Sequence, residues 1–292
     1  MKMNGETEES GAIRVGNAAS ASGERRRILV VKVGGSLMDK VSSVIATLKS
    51  AAQSPDCAFD KIVLVPGGGI FADEIRSMNA DDETSHWLAV LAMEKFGYLI
   101  SALGVPATDS LSDCIADFAD ADTCRGSSCG GKTLVLLPYK PVREYDPLPH
   151  SWDITSDSIA AWAASELSER LKPGFGGDCR VSLLLLKSVD GIMRRDTNTN
   201  TTSAINTTHT APAPDTAACG APASDAAENS EIIPEICGIR EGERFEEVDP
   251  FCIPLILKSG IDGYILNARK PELLAAFILG RNFGGTHIHR HP

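Results

Sequence analysis

Residues 28–36 read Ile28-Leu29-Val30-Val31-Lys32-Val33-Gly34-Gly35-Ser36. The run is apolar at both alternating positions, apart from one lysine, which suits a strand buried on both faces of a sheet. Two glycines follow. They let the backbone approach an anion closely and turn into a helix whose first N–H groups point at the same place. Lys32, one residue short of the strand end, brings positive charge to that turn. Ser36 is expected to cap the helix, whose apolar positions Leu37, Val41, Val44, Ile45 and Leu48 recur at helical spacing. A plain strand–turn–helix, with glycines there only for packing, accounts for the same residues, so the rest of the chain has to decide.

A second unit of this kind follows at once. Lys61–Val65 is apolar and ends in Pro66-Gly67-Gly68-Gly69, again before a helical stretch. Thr84–Ala102 reads as a long helix, nearly apolar all round and therefore buried. Further strands are expected at Val105–Thr108, Thr133–Leu137, Val181–Leu186 and Gly263–Asn267, and further helices at Ser156–Leu171 and Pro271–Leu279. Strands alternating with helices predict an α/β fold, a mainly parallel sheet covered on both faces. Two glycine-rich loops at the C-terminal ends of two strands of one sheet would form a wide anion cradle, at the edge where open α/β sheets bind ligands. Neither loop is a Walker motif or a G-x-G-x-x-G fingerprint.

The chain has 292 residues and a net charge of −11, which excludes a sequence-blind nucleic-acid binder. Apolar runs are too short to span a membrane, and the polar start has no apolar signal core, so a cytoplasmic protein is expected. The eight cysteines are scattered and read as free thiols; Cys124 and Cys129 lack a second ligand pair nearby. Residues 1–24 read as a disordered tail. Residues 25–292 read as one domain carrying a disordered Thr/Asn/Ala/Pro-rich insertion at about 196–232. Its two Asn-x-Thr sequons, at Asn200 and Asn206, carry no meaning in a cytoplasmic protein.

Two more motifs complete the order. In Thr155-Ser156-Asp157-Ser158, Thr155 or Ser156 can cap a helix while Asp157 favours its dipole or holds lysines around a phosphoryl group. Lys187-Ser188-Val189-Asp190-Gly191 follows a buried strand, either as an ordinary Asp-Gly turn or as a nucleotide-edge loop.

This ordered set resembles the amino acid kinase family, over roughly residues 27–288 outside the insertion. The resemblance implies a three-layer αβα sandwich with about eight mainly parallel strands, using ATP and Mg²⁺. It implies Lys32, Asp157 and Lys258 as catalytic residues, the last without the usual glycine-methionine lead-in. It implies a nucleotide side of Lys32, Gly34, Gly35, Ser36, Lys187, Asp190 and Gly191, and an acceptor side of Gly67, Gly68, Gly69, His86, Thr155 and Ser156. No resident protein-bound metal is expected; the alternating His287, His289 and His291 read as a frayed tail. Ser85–Tyr98, Pro147–Trp152, Asn267–Glu272 and Gly285–Ile288 resemble the subgroup that phosphorylates aminomethyl-furanmethanol phosphate in methanofuran biosynthesis. The expectation is thus a homo-oligomeric kinase acting on a small phosphorylated substrate, without nucleic-acid or membrane partners. Isopentenyl phosphate, uridylate, acetylglutamate and aspartate kinase activities stay open, as does a non-catalytic nucleotide-binding or molybdate-storage role. His86 is equally an acceptor-phosphate donor or a structural group.

Overall fold

The computed structural model describes residues 26–116, 132–172, 179–194, 231–240 and 242–290. The N-terminal tail, Cys124, Cys129, both sequons, His291 and most of the insertion lie outside them. The strands are β1 (Arg26–Val33), β2 (Lys61–Pro66), β3 (Ala107–Thr108), β4 (Thr133–Leu136), β5 (Cys179–Lys187), β6 (Glu235–Ile236), β7 (Asp262–Asn267) and β8 (Thr286–Ile288). They form one sheet in the order β3-β4-β2-β1-β5-β7-β8-β6. Every pairing is parallel except that of β7 with β8. The α/β architecture is therefore the one the alternating sequence pattern implies.

The stretch that opens the chain's folded part is its central strand. Because side chains alternate across a strand, Ile28 and Val30 enter one core while Leu29, Val31 and Val33 enter the other. All five are fully buried, each stabilising by roughly 1.5–3 kcal/mol. Helices α1 (Val41–Gln53) and α7 (Pro271–Ile278) cover the second face. Helices α5 (Ser156–Leu171) and α6 (Cys252–Ser259) cover the first. Helix α3 (Asp82–Ala102) gives Val90 and Met93 to one core and Phe96 and Ile100 to the other, which explains its weak amphipathicity. Helices α2 (Gly69–Ser77) and α4 (Tyr139–Tyr145) complete the described set. No helix among the described residues is long and apolar enough to cross a membrane.

Three local expectations are corrected. Ser36 caps no helix: Gly34 precedes a 3₁₀ turn over Gly35–Lys40, and α1 begins only at Val41. The strand expected over Val105–Thr108 is reduced to its last two residues, because Pro106 has no N–H to give a ladder. Glu231 and Ile232, read as insertion, belong to the folded body. Arg194 N–H donates to the Glu231 carbonyl at 2.8 Å, and Met193 bridges Ile232.

One buried carboxylate that the sequence did not flag sets the position of α5 and α6. Asp249 accepts from Thr155 N–H (3.1 Å), Thr155 Oγ1 (2.7 Å) and Ser158 N–H (3.0 Å), and from the Ser158 hydroxyl. It also accepts from Phe251 and Cys252 N–H, both at 3.1 Å. The first turns of two helices thus share one anion, which satisfies otherwise orphaned donors and complements both dipoles. Replacing it strands several buried N–H and O–H groups at once. Asp249→Ala is expected to cost about 3–5 kcal/mol in urea denaturation followed by circular dichroism. A loss below about 1 kcal/mol would show that water replaces the clamp.

Candidate active site

The C-terminal ends of the two central strands bring two lysines to one carboxylate. Lys32 on β1 and Lys187 at the end of β5 point to the same sheet face, because each continues the alternation of its strand. Asp157 sits in the first turn of α5, where Thr155 Oγ1 accepts its N–H at 3.2 Å. Lys32 Nζ lies 2.8 Å from Asp157 Oδ1, and Lys187 Nζ pairs with Oδ2. Lys32 is 6% exposed and Asp157 3%. Burial pulls the Lys32 ammonium below its ordinary pKa, against the pull of Asp157. Burial acts to raise Asp157, but the two ammonium groups outweigh it and hold the carboxyl below its ordinary value. Two cations facing one anion leave a local excess of positive charge at the mouth of the sheet. Such a place is suited to a polyanion.

The glycine loops meet beside this cluster. A Cβ on Gly35 would lie 2.2 Å from Gly69 Cα and N, so the two loops can touch only because both lack side chains there. Gly69 also has φ +54°, a conformation that favours glycine. Gly67 continues the sheet, donating to Val33 O at 2.8 Å. The loops line a cavity of about 380 Å³. Gly35, Ser36, Gly68 and Gly69 form its floor, and Thr155 and Ser156 one wall. Apolar Val90, Met93 and Ile159 line it together with Trp152, His86, Asp73 and Arg76.

His86 belongs to an aromatic stack. Its ring lies on that of His150 with centroids 4.3 Å apart, and Trp87 meets both edge-on. His150 bridges two acids, Asp146 at 2.7 Å and Glu83, and these raise its pKa. Burial, and then the neighbouring His150, lower that of His86. The two shifts favour a proton on His150 over one on His86, whose Nε2 is buried and without a protein partner among the described residues.

Of the residues singled out from sequence, Lys32, Asp157 and Lys187 converge. Gly34 stands beside them, since a Cβ there would lie 3.5 Å from Lys32 Nζ. Gly35, Ser36, Gly68, Gly69, His86, Thr155 and Ser156 line the cavity, and Gly67 supports its floor. Asp190 is tied to the end of β7, pairing with Lys270 at 2.6 Å and accepting from Asn267 Nδ2 at 3.0 Å. Lys270 chiefly holds its carboxyl below the ordinary range. Gly191 is buried, and a Cβ there would strike Ile232 and Thr286 at 2.8 Å, so close packing demands this glycine.

Lys258 is a correction. It is exposed near the C-terminus of α6, just before β7 begins at Asp262. Asp262 pairs with Ser182, whereas Lys187 pairs with Asn267. Lys258 therefore lies near the opposite edge of the sheet, roughly 16 Å of strand away from the cluster. The second lysine at Asp157 is Lys187. The buried end of α6 instead presents Cys252, whose thiol pKa is raised well above normal by burial and by the Asp157 and Asp249 charges. Sequence reasoning also passed over Asp249 and Arg76. Arg76 could have been found, since Gly69, Asp73 and Arg76 share one helical face. Asp249 offered no local signal.

The profile of the Amino acid kinase family matches residues 27–213. The (5-(aminomethyl)furan-3-yl)methyl phosphate kinase of Methanocaldococcus jannaschii is 30% identical over 168 residues, covering 56% of this chain and 67% of that relative. The crystal structure of uridylate kinase from Archaeoglobus fulgidus is similar with a TM-score of 0.52 at 15% identity, covering 90% of this chain and 99% of that one. UMP kinase from Bacillus anthracis gives 0.56 at 13% identity, with 91% and 97% covered. At such identities the likeness concerns the fold.

Two outcomes follow for this site. Gly35→Ala inserts a methyl where no space exists and should lower turnover at least about 100-fold by spreading the loops; a crystal structure of the variant would show the displaced Gly69. His150 has a raised folded pKa, so its bridge stabilises fully below the unfolded value near 6.5 and fades as pH rises through the folded one. The stability gap between wild type and His150→Gln should therefore be widest below about pH 6. A gap unchanged between acid and alkaline buffers would contradict the bridge.

Proposed function

The chain belongs to the amino acid kinase family, and on that premise we propose that it is an ATP-dependent kinase that phosphorylates a small phosphomonoester. The observation that carries this is the Lys32–Asp157–Lys187 cluster, with its uncompensated positive charge at the loop edge. Phosphoryl transfer needs in-line positioning and neutralisation of charge on the moving group, with little covalent work by the protein. Lys32 and Lys187 would hold the transferring phosphoryl, with Asp157 fixing both ammonium groups. Loop N–H groups around Gly34–Ser36 and at Gly68 and Gly69 would orient the reacting oxygens. Both oxygens of Asp157 are engaged by lysines, so Mg²⁺ would enter on the nucleotide's own phosphates and supply further charge neutralisation. A phosphate acceptor is already anionic and needs no strong general base.

For the acceptor, we propose 5-(aminomethyl)-3-furanmethanol phosphate, the compound named in the 30% identical relative. The cavity chemistry supports it. Trp152, Val90 and Met93 offer an apolar slot for a flat ring. Arg76 and Asp73, paired with each other at 2.7 Å on the lining, would exchange that pairing for the phosphate and ammonium groups of the acceptor. Neutral His86 Nε2 would donate to the acceptor phosphate or accept from the ammonium. Self-association belongs to the same proposal: α3 leaves Leu91, Tyr98 and Leu99 exposed along its outer side.

The test is Mg·ATP turnover against a panel of this furan phosphate, isopentenyl phosphate, uridylate, acetylglutamate and aspartate. Turnover confined to the furan phosphate is expected. Activity on another acceptor would discard the substrate and keep the mechanism; ATP binding without turnover on any would discard both. Lys187→Met and Lys32→Met should each lower kcat about 10²–10³-fold, while Lys258→Ala should leave it unchanged. A Lys187→Met enzyme with full activity would overturn its role at the phosphoryl group.

A further inference from the structure

The outer edge of the sheet carries a second cluster of reactive side chains, remote from the loops. Strand β6 pairs in parallel with β8, and Glu235 stands opposite His287. The pairing continues past β6, since His289 N–H donates to Ile236 O at 3.0 Å. Because side chains alternate with a period of two, Glu235 and Cys237 on one chain and His287 and His289 on the other project to one face as a two-by-two grid. The side chains meet as this geometry requires. Glu235, His287 and His289 offer ligand atoms all within 4.8 Å of one another. Cys237 Sγ lies 3.5 Å from His289 Nε2, and that same nitrogen contacts Glu235. The two imidazoles stack with centroids 4.5 Å apart.

We propose that Glu235, Cys237, His287 and His289 form a structural Zn²⁺ site that pins the short edge strand β6 to β8. Thiolate, imidazole and carboxylate are the ligand types Zn²⁺ takes in tetrahedral protein sites. Bonds of about 2.0–2.3 Å set tetrahedral ligand atoms about 3.3–3.8 Å apart, so Glu235, His287 and His289 need only a contraction from within 4.8 Å, and Cys237 joins them from its contact with His289. Outer partners are also in place. His289 Nδ1 lies 3.0 Å from Arg290 O, which would receive its proton when Nε2, facing Cys237 and Glu235, binds the metal. Asp262 Oδ1 stands 3.3 Å from His287 Nε2, and the same ring lies flat on buried Tyr264, 4.5 Å between centroids. The fold supplies a reason for a clamp. β6 is two residues long and lies at the end of the sheet, held by only a few ladder bonds. The site is separate from catalysis, since His287 pairs with Tyr264 midway along β7 while the reacting edge is level with Asn267.

The experiment uses the full chain, stripped with a chelator and titrated with Zn²⁺ or Co²⁺ alone. One ion per chain should bind. The Co²⁺ form should show tetrahedral d–d bands with a thiolate-to-cobalt charge-transfer band, and Zn²⁺ should raise the melting temperature. Cys237→Ser should abolish the charge-transfer band, and His289→Gln should weaken Zn²⁺ binding at least about 10-fold. Both should keep kinase turnover, and His291→Ala should keep full metal affinity. Absence of stoichiometric binding would overturn the site. So would a Co²⁺ spectrum without a thiolate band, or affinity lost in His291→Ala and kept in Cys237→Ser, which would assign binding to a terminal chelate.

Discussion

One carboxylate divided between two lysines is the constraint on which the functional edge depends. Asp157 neutralises only one of Lys32 and Lys187, yet all three are wholly or largely buried. Removing charged groups from water costs several kcal/mol per ion, repaid only by close pairing. A core packed for stability alone has no reason to hold a surplus cation in such a place. A site that must receive a polyphosphate does, because the substrate completes the charge balance and the site need not reorganise as charge moves. The central strands β1 and β5 are buried on both faces, and this fixes the two ammonium groups.

The rest of the edge follows from placing that cluster next to the glycine loops and the cavity they line. Gly35 and Gly69 let the two loops touch, so backbone rather than side chain fills the space between them. Asp249 holds the other wall. By accepting from the first turns of both α5 and α6, it fixes Thr155 and Ser158 around Asp157 itself. A carboxylate distant in sequence thus sets the angle at which Asp157 meets the two lysines. The His86–His150 stack does similar work on the cavity side: two acids favour the charged form of His150, and burial beside it favours the neutral form of the inner ring.

The opposite margin of the sheet obeys different needs. It has two short strands, β6 and β8, to secure. Ring stacking on Tyr264 and the Glu235–His289 contact already bring four metal-binding groups together there. The alternation that sends Lys32 and Lys187 to one face near the centre also sends His287 and His289 to one face at the rim. In both places a period of two turns sequence spacing into chemistry.

Much of this was legible in the letters. The apolar run Ile28–Val33 ending in two glycines, and its echo at Lys61–Gly69, specify parallel strands with anion-binding turns, because local sterics and backbone hydrogen bonding act within a few residues. The same locality makes Asp157 readable as a first-turn acid. What the letters could not settle were the pairings between distant segments. Lys258 follows an apolar helix and looks like a second lysine, yet the direction of α6 carries it to the wrong edge. Lys187 sits in a turn-like motif, yet its strand ends beside β1. Asp249 lies in a loop with no local pattern and becomes the cap of two helices only when the chain folds back. Sequence by itself determined the long central strands and their glycine turns, since those are fixed by neighbouring residues, whereas the short edge strands β6 and β8 carry too few residues for a pattern and exist only through their pairing. Which lysine reaches Asp157, and which acid clamps its helix, were decided by tertiary packing, because only the directions and register of assembled elements bring such charges within bonding distance.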